Sequence, residues 1–223
     1  MAHLNARRFG PVAGGAPRQL VIIAHGLGAN GTDLIPIAPT LAAALPHALF
    51  LAPDAPEACD LVSPEEGVHA RQWFSLGDWR PEAMEAGVRR GGPALDRFID
   101  ESLAEHAVPS GSYALVGFSQ GAMMSLFVGL RRQTPPRAIL AYSGILLDPE
   151  RLAEEIANRA PVLLVHGARD EVVPAEFSRM AEAQLRDLSV PVELLIEPEL
   201  GHGIDAVGLA AGAQRLARVF AAE

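Results

Sequence analysis

The stretch Tyr113-Ala114-Leu115-Val116-Gly117-Phe118-Ser119-Gln120-Gly121-Ala122-Met123-Met124-Ser125-Leu126 decides the fold. It opens on a short apolar run, passes through a G-x-S-x-G pentapeptide and continues as a helical pattern. A pentapeptide of this kind recurs by chance, so its setting between a strand and a helix carries the weight. Gly117 and Gly121 lack a Cβ, which lets strand and helix approach closely and pushes Ser119 out at the sheet's edge. The Gln120 N–H then sits at a helix N-terminus, where amides are unpaired and negative charge is favoured. The plainer alternative is Ser119 as a helix N-cap in a tight turn.

Outward from this point, apolar runs alternate with helical patterns. The runs are Leu20–Ala24, Ala48–Leu51, Tyr113–Val116, Ala138–Tyr142, Val162–Val165 and Val192–Ile196. Runs this short and this continuous read as strands buried on both faces. The helical patterns cover 33–45, with Thr32 or Asp33 as cap, then 81–107, 120–132, 150–158, 175–188 and 205–221. Gly91-Gly92-Pro93 is expected to break or kink the second of these. The alternation predicts one α/β domain over 1–223, with a mostly parallel sheet covered by helices on both faces and no separate cap domain. Residues 53–80 do not fit it. They form a long connection carrying Trp73 and Trp79, and such loops are often functional.

A serine hydroxyl needs a base. Among seven histidines, His202 lies in Gly201-His202-Gly203 just past the last strand, where flanking glycines suggest a side chain held at an awkward angle. The alternative for it is a surface loop histidine. His25 and His166 also end strands, but their neighbours point to backbone roles. His3, His47, His69 and His106 fall in polar or peripheral contexts. Asp170 follows the strand at 162–165 and is the candidate to orient the histidine, with Glu171 and Asp205 as rivals. The chain order Ser119, Asp170, His202 favours Asp170. A second oxyanion donor is expected from the Leu27 N–H in the turn His25-Gly26-Leu27-Gly28, paired with that of Gln120.

Together, His25-Gly26-Leu27-Gly28, Gly117-Phe118-Ser119-Gln120-Gly121, Ser143-Gly144, His166-Gly167, Asp170, Val173-Pro174 and Gly201-His202 resemble the phospholipase/carboxylesterase family. That family includes bacterial carboxylesterases and acyl-protein thioesterases, within the α/β-hydrolase fold. The resemblance runs from about residue 20 to residue 203. It implies Ser119, Asp170 and His202 as a catalytic triad and Leu27 and Gln120 as oxyanion donors. It also implies an apolar acyl groove near Trp73 and Phe74, from the likeness of Gln72-Trp73-Phe74-Ser75-Leu76 to the family's tryptophan-phenylalanine element. Ala122 stands where many relatives have a further glycine. Residues 145–147 and those after His202 also depart from the thioesterases, so substrate preference is not carried over.

The 223 residues are 49% hydrophobic and 20% charged, the composition of a folded globular chain. The formal charge of −9 and the lack of a basic stripe argue against nucleic acid or an anionic membrane as partner. No run is long enough to span a bilayer and no signal-peptide pattern opens the chain, which predicts a cytoplasmic protein. A lone Cys59 excludes an intrachain disulfide and a cysteine zinc site, and the pattern calls for no metal and no cofactor. The expected function is a serine carboxylesterase acting on a small-molecule ester or thioester, with acyl thioesterase or lysophospholipase as the alternative. A non-catalytic binding protein on the same scaffold is a remote second class, disfavoured because every catalytic role is filled. A homodimer is compatible with the composition and not required by it.

Overall fold

A computed structural model describes residues 4–63 and 69–221; His3 and part of the 53–80 connection lie outside them. Among the described residues, seven strands form one sheet in the order β1-β3-β2-β6-β7-β8-β9. These are β1 (Ala6–Phe9), β2 (Gln19–Ala24), β3 (Ala48–Pro53), β6 (Tyr113–Phe118), β7 (Ile139–Tyr142), β8 (Val162–Gly167) and β9 (Val192–Glu197). All six expected strands are present and pair in parallel. The seventh, β1, is antiparallel to β3. Its sequence Ala-Arg-Arg-Phe has no apolar run, as a partly buried edge strand permits. At the opposite edge β9 is also only partly buried, so the expectation that Val192–Ile196 is buried on both faces is corrected.

Alternate residues of the strands feed two cores. On one face, α1 (Gly31–Leu34), α2 (Ala38–Ala42) and α7 (Ala206–Ala221) cover Val21, Ile23, Phe50 and Val116. On the other, α3 (Pro81–Glu105), α4 (Gln120–Arg131), α5 (Pro149–Glu155) and α6 (Glu176–Asp187) cover Leu20, Ile22, Leu115 and Leu164. This is the α/β sandwich expected from the alternation, and the described residues include no separate cap domain.

Three further local expectations are corrected. The pattern at 33–45 is not one helix. Pro36 and Pro39 divide it into α1, a 3₁₀ turn at Ile35–Ile37 and α2, since proline removes a donor. Its cap is Asn30, whose side chain accepts the Thr32 N–H at 2.7 Å while Asp33 accepts the Asn30 N–H at 2.9 Å. Next, Gly91-Gly92-Pro93 does not interrupt α3, which runs unbroken for 25 residues. The glycines serve packing instead. A Cβ on Gly91 would lie 2.6 Å from the Trp73 carbonyl oxygen, and one on Gly92 3.1 Å from the Phe127 ring. Finally, the 53–80 connection contains a small antiparallel ladder, β4 (Glu57–Ala58) with β5 (Arg71–Gln72).

Candidate functional site

The C-terminal ends of the parallel strands converge at Ser119. Ala24 pairs with Gly117, and Gly117 with Ala141. The turns after β2, β6 and β7 therefore start side by side. Ser119 has φ 53° and ψ −118°, a left-handed backbone that costs a non-glycine residue about 1–3 kcal/mol. The strain is held by close contacts. A Cβ on Gly117 would sit 2.2 Å from the Gly121 oxygen, and one on Gly121 2.0 Å from the Ala24 oxygen. The Ser119 N–H donates to the Tyr142 oxygen at 2.8 Å. Ser119 occupies the N-cap position of α4, yet its side chain makes no capping hydrogen bond, so capping does not account for a serine here. Ala122, the departure from the family pattern, packs where a Cβ on Gly144 would be 2.5 Å away.

His202 and Asp170 meet across 32 residues. His202 Nδ1 lies 2.7 Å from Asp170 Oδ2, and the carboxylate can only accept, so Nδ1 carries a proton and it is Nε2 that holds the lone pair of the neutral ring. The other carboxylate oxygen accepts the Val172 and Val173 N–H groups at 2.9 and 2.8 Å. Burial pushes the Asp170 pKa up, but the bonds from His202, Val173 and Val172 outweigh it and hold the carboxyl below its ordinary value. The two loops touch because Gly167 has no side chain: a Cβ there would lie 2.2 Å from the Leu200 oxygen. The His202 ring also packs on Phe118, centroid to centroid 4.9 Å, beside Ser119. The rivals for Asp170 are placed elsewhere. Glu171 is exposed, and Asp205 accepts the Gly208 N–H at the start of α7.

The glycines flanking His202 do not hold it at an awkward angle. Neither has a positive φ, and the nearest atoms to a Cβ on Gly201 or Gly203 are 3.8 and 3.9 Å away. The strain sits at Ser119 instead.

The turn after β2 comes close to Ser119, with a Cβ on Gly26 only 3.2 Å from the Ser119 Cβ. Among the described residues, the Leu27 and Gln120 N–H groups donate to no protein acceptor. His25 is fully buried. Its Nδ1 donates to the Gly26 oxygen at 2.7 Å, and its Nε2 accepts the Ala55 N–H at 2.9 Å. Burial holds its pKa below the ordinary value, with the Gly26 bond opposing in part.

The neighbours of His166 point to a backbone role, and the structure also gives its side chain a place. Its Nε2 donates to the Val173 oxygen at 2.8 Å and lies 3.2 Å from Asp170 Oδ2, while Nδ1 pairs with the Ser178 hydroxyl at 2.7 Å. A histidine four residues before a loop aspartate was the available signal.

Trp73 and Phe74 are both 0% exposed. Neither ring is open to water, although Trp73 borders a large cavity. Trp79, by contrast, is 47% exposed, and Met123 is buried in the core. That cavity of about 930 Å³, with Asn30, Asp54, Arg71, Arg90 and Arg97 also among its walls, lies toward the β1 edge; Ser119, Asp170 and His202 do not line it. Among the described residues no group of three or more His, Cys, Asp or Glu is placed to hold a metal ion, and no helix is long and apolar enough to cross a membrane.

Comparison with known proteins agrees with this layout. The family model described as phospholipase/carboxylesterase matches residues 12–219. Acyl-protein thioesterase 1 of Schizosaccharomyces pombe is 31% identical over 205 residues, 86% of this chain and 88% of that protein. Esterase YpfH of Escherichia coli is 27% identical over 188 residues, 84% and 77% of the two chains. The crystal structure of esterase PE8 superposes with a TM-score of 0.90 at 37% identity, covering 98% of this chain and 100% of that one. With the strand order, the serine turn and the match all along the same stretch, the chain belongs to the phospholipase/carboxylesterase family of hydrolases, on an α/β-hydrolase fold.

Proposed function

We propose that this protein is a serine carboxylesterase that works through Ser119, His202 and Asp170. The observation that carries the reading is the 2.7 Å bond from His202 Nδ1 to Asp170, which leaves Nε2 as a base. His202 takes the proton of Ser119 as its oxygen attacks the carbonyl carbon, and the Leu27 and Gln120 N–H groups receive the oxyanion. The tetrahedral intermediate collapses to an acyl-enzyme as His202 protonates the leaving alcohol. Water, deprotonated by His202, then releases the acid. The Leu27 and Gln120 amides support this assignment, because among the described residues neither donates to a protein acceptor and both remain available to an oxyanion beside Ser119.

The substrate is a small carboxylic ester. Thioester cleavage is the second reading, favoured by the identity to an acyl-protein thioesterase. Ser119→Ala is expected to abolish turnover of p-nitrophenyl butyrate, and activity within tenfold of wild type would overturn the mechanism. Acyl esters, thioesters and lysophospholipids assayed side by side then separate the substrate classes.

A further inference from the structure

Trp73 is where the tryptophan-phenylalanine element was expected to line an acyl groove, yet its ring is sealed in the core. Its polar atoms explain why a tryptophan is there. The indole N–H donates to the His25 oxygen at 3.0 Å. The Trp73 backbone N–H donates to Gln120 Oε1 at 2.9 Å, and Gln120 Nε2 donates to the Phe74 oxygen at 2.7 Å. A donor faces the carboxamide oxygen and an acceptor faces its nitrogen, so one orientation of the amide satisfies both.

The two ends of this chain of bonds are the two segments that carry the free amides. The His25 carbonyl belongs to the peptide immediately before the one that bears the Leu27 N–H. The Gln120 side chain belongs to the residue that bears the other N–H. Trp73 thus bridges two turns, 48 and 47 residues away along the chain. Its loop is itself seated on α3: a Cβ on Gly87 would lie 2.4 Å from the Phe74 ring, and one on Gly91 2.6 Å from the Trp73 oxygen. A rigid loop anchored on a long helix is suited to hold two strand-end turns at a set separation.

We propose that Trp73, with the Gln120 carboxamide, is a positioning residue that sets the distance between the Leu27 and Gln120 N–H groups. The proposal rests on the Ser119-centred reading above. Two donors stabilise an oxyanion only when both lie about 3 Å from where its charge develops, and misplacement of about 1 Å lowers rates about 100-fold. Because that charge exists in the transition state and not in the bound ester, the loss falls on kcat rather than KM.

The test uses Trp73→Phe, which removes the indole N–H and keeps an aromatic ring in the core. Active sites are counted by complete labelling with a fluorophosphonate, so turnover is given per competent site. The expected result is a kcat lower by about 10- to 100-fold, with KM within twofold of wild type. Affinity for a trifluoromethyl ketone, whose adduct carries an oxyanion, should fall by the same factor. Unchanged kcat per labelled site with a lowered melting temperature would make Trp73 a packing residue and overturn the proposal. A raised KM at unchanged kcat would make it a substrate wall, with the same consequence. Gln120→Met, which removes the carboxamide bonds and keeps the backbone N–H, should show the same kcat-only loss and decides the matter if Trp73→Phe does not fold. If neither variant folds, these bonds hold the domain together and the proposal fails. Turnover surviving in Ser119→Ala would instead overturn the underlying reading, whatever Trp73 does.

Discussion

Replacing Gly121 by alanine tests the serine turn directly. In an ordinary helix, alanine is favoured over glycine by about 1 kcal/mol. At Gly121 the new Cβ would lie 2.0 Å from the Ala24 oxygen, where ordinary contact begins at 3.4 Å. The start of α4 must therefore withdraw from β2 by the difference, 3.4 − 2.0 = 1.4 Å. Overpacking of this kind costs about 1–3 kcal/mol, and part of it is offset by the helix preference. A chain of this size loses about 2–4 °C of Tm per kcal/mol, so the net of up to about 2 kcal/mol lowers Tm by up to about 8 °C. Ser119 and the Gln120 N–H ride on the displaced segment. A shift of more than about 1 Å at reacting groups lowers kcat/KM about 100-fold. Turnover of p-nitrophenyl butyrate and a thermal melt read both effects. Gly201→Ala, next to His202 but with its nearest neighbour 3.8 Å away, is the control and should stay within threefold of wild type. Refutation would be a Gly121→Ala enzyme within threefold of wild type with a raised Tm.

Asp170→Asn should lower kcat about 10⁴-fold, since the imidazole loses the partner that orients it and stabilises its cation; a loss under tenfold in steady-state assays would exclude that role. For His25, the native pKa lies below the ordinary 6.5, so on acidification the unfolded chain takes up the proton first and stability falls below about pH 6.5. Urea midpoints at pH 7.5 and 5.5 should differ less in His25→Gln than in wild type, and an equal difference would contradict it. Asp170 acts in a lower window: its depressed carboxyl contributes fully above the ordinary 3.8, and that contribution is lost only as pH falls through the native pKa. Asn30→Ala removes the cap of α1 and should cost about 1 kcal/mol, seen as a Tm about 2–4 °C lower.

The order Ser119, Asp170, His202 and the strand-helix rhythm around it are properties of the sequence alone. They are legible because a strand buried on both faces must be apolar throughout, and because the serine turn excludes a Cβ at Gly117 and Gly121 for local steric reasons. The β1 edge was less legible. Ala6–Phe9 pairs through its backbone, so its two arginines give no hint of a strand. Pro36 and Pro39 divide α1 from α2 through a local effect present in the letters, whereas the close packing of Gly91 and Gly92 in the uninterrupted α3 depends on the segments it meets. The tertiary structure alone decided what Trp73 and His166 touch. Trp73 reaches His25 across 48 residues, and His166 meets Asp170 through a turn whose path its letters do not specify. Periodicity records which side chains leave water, whereas a buried hydrogen bond depends on where two distant backbones come to rest.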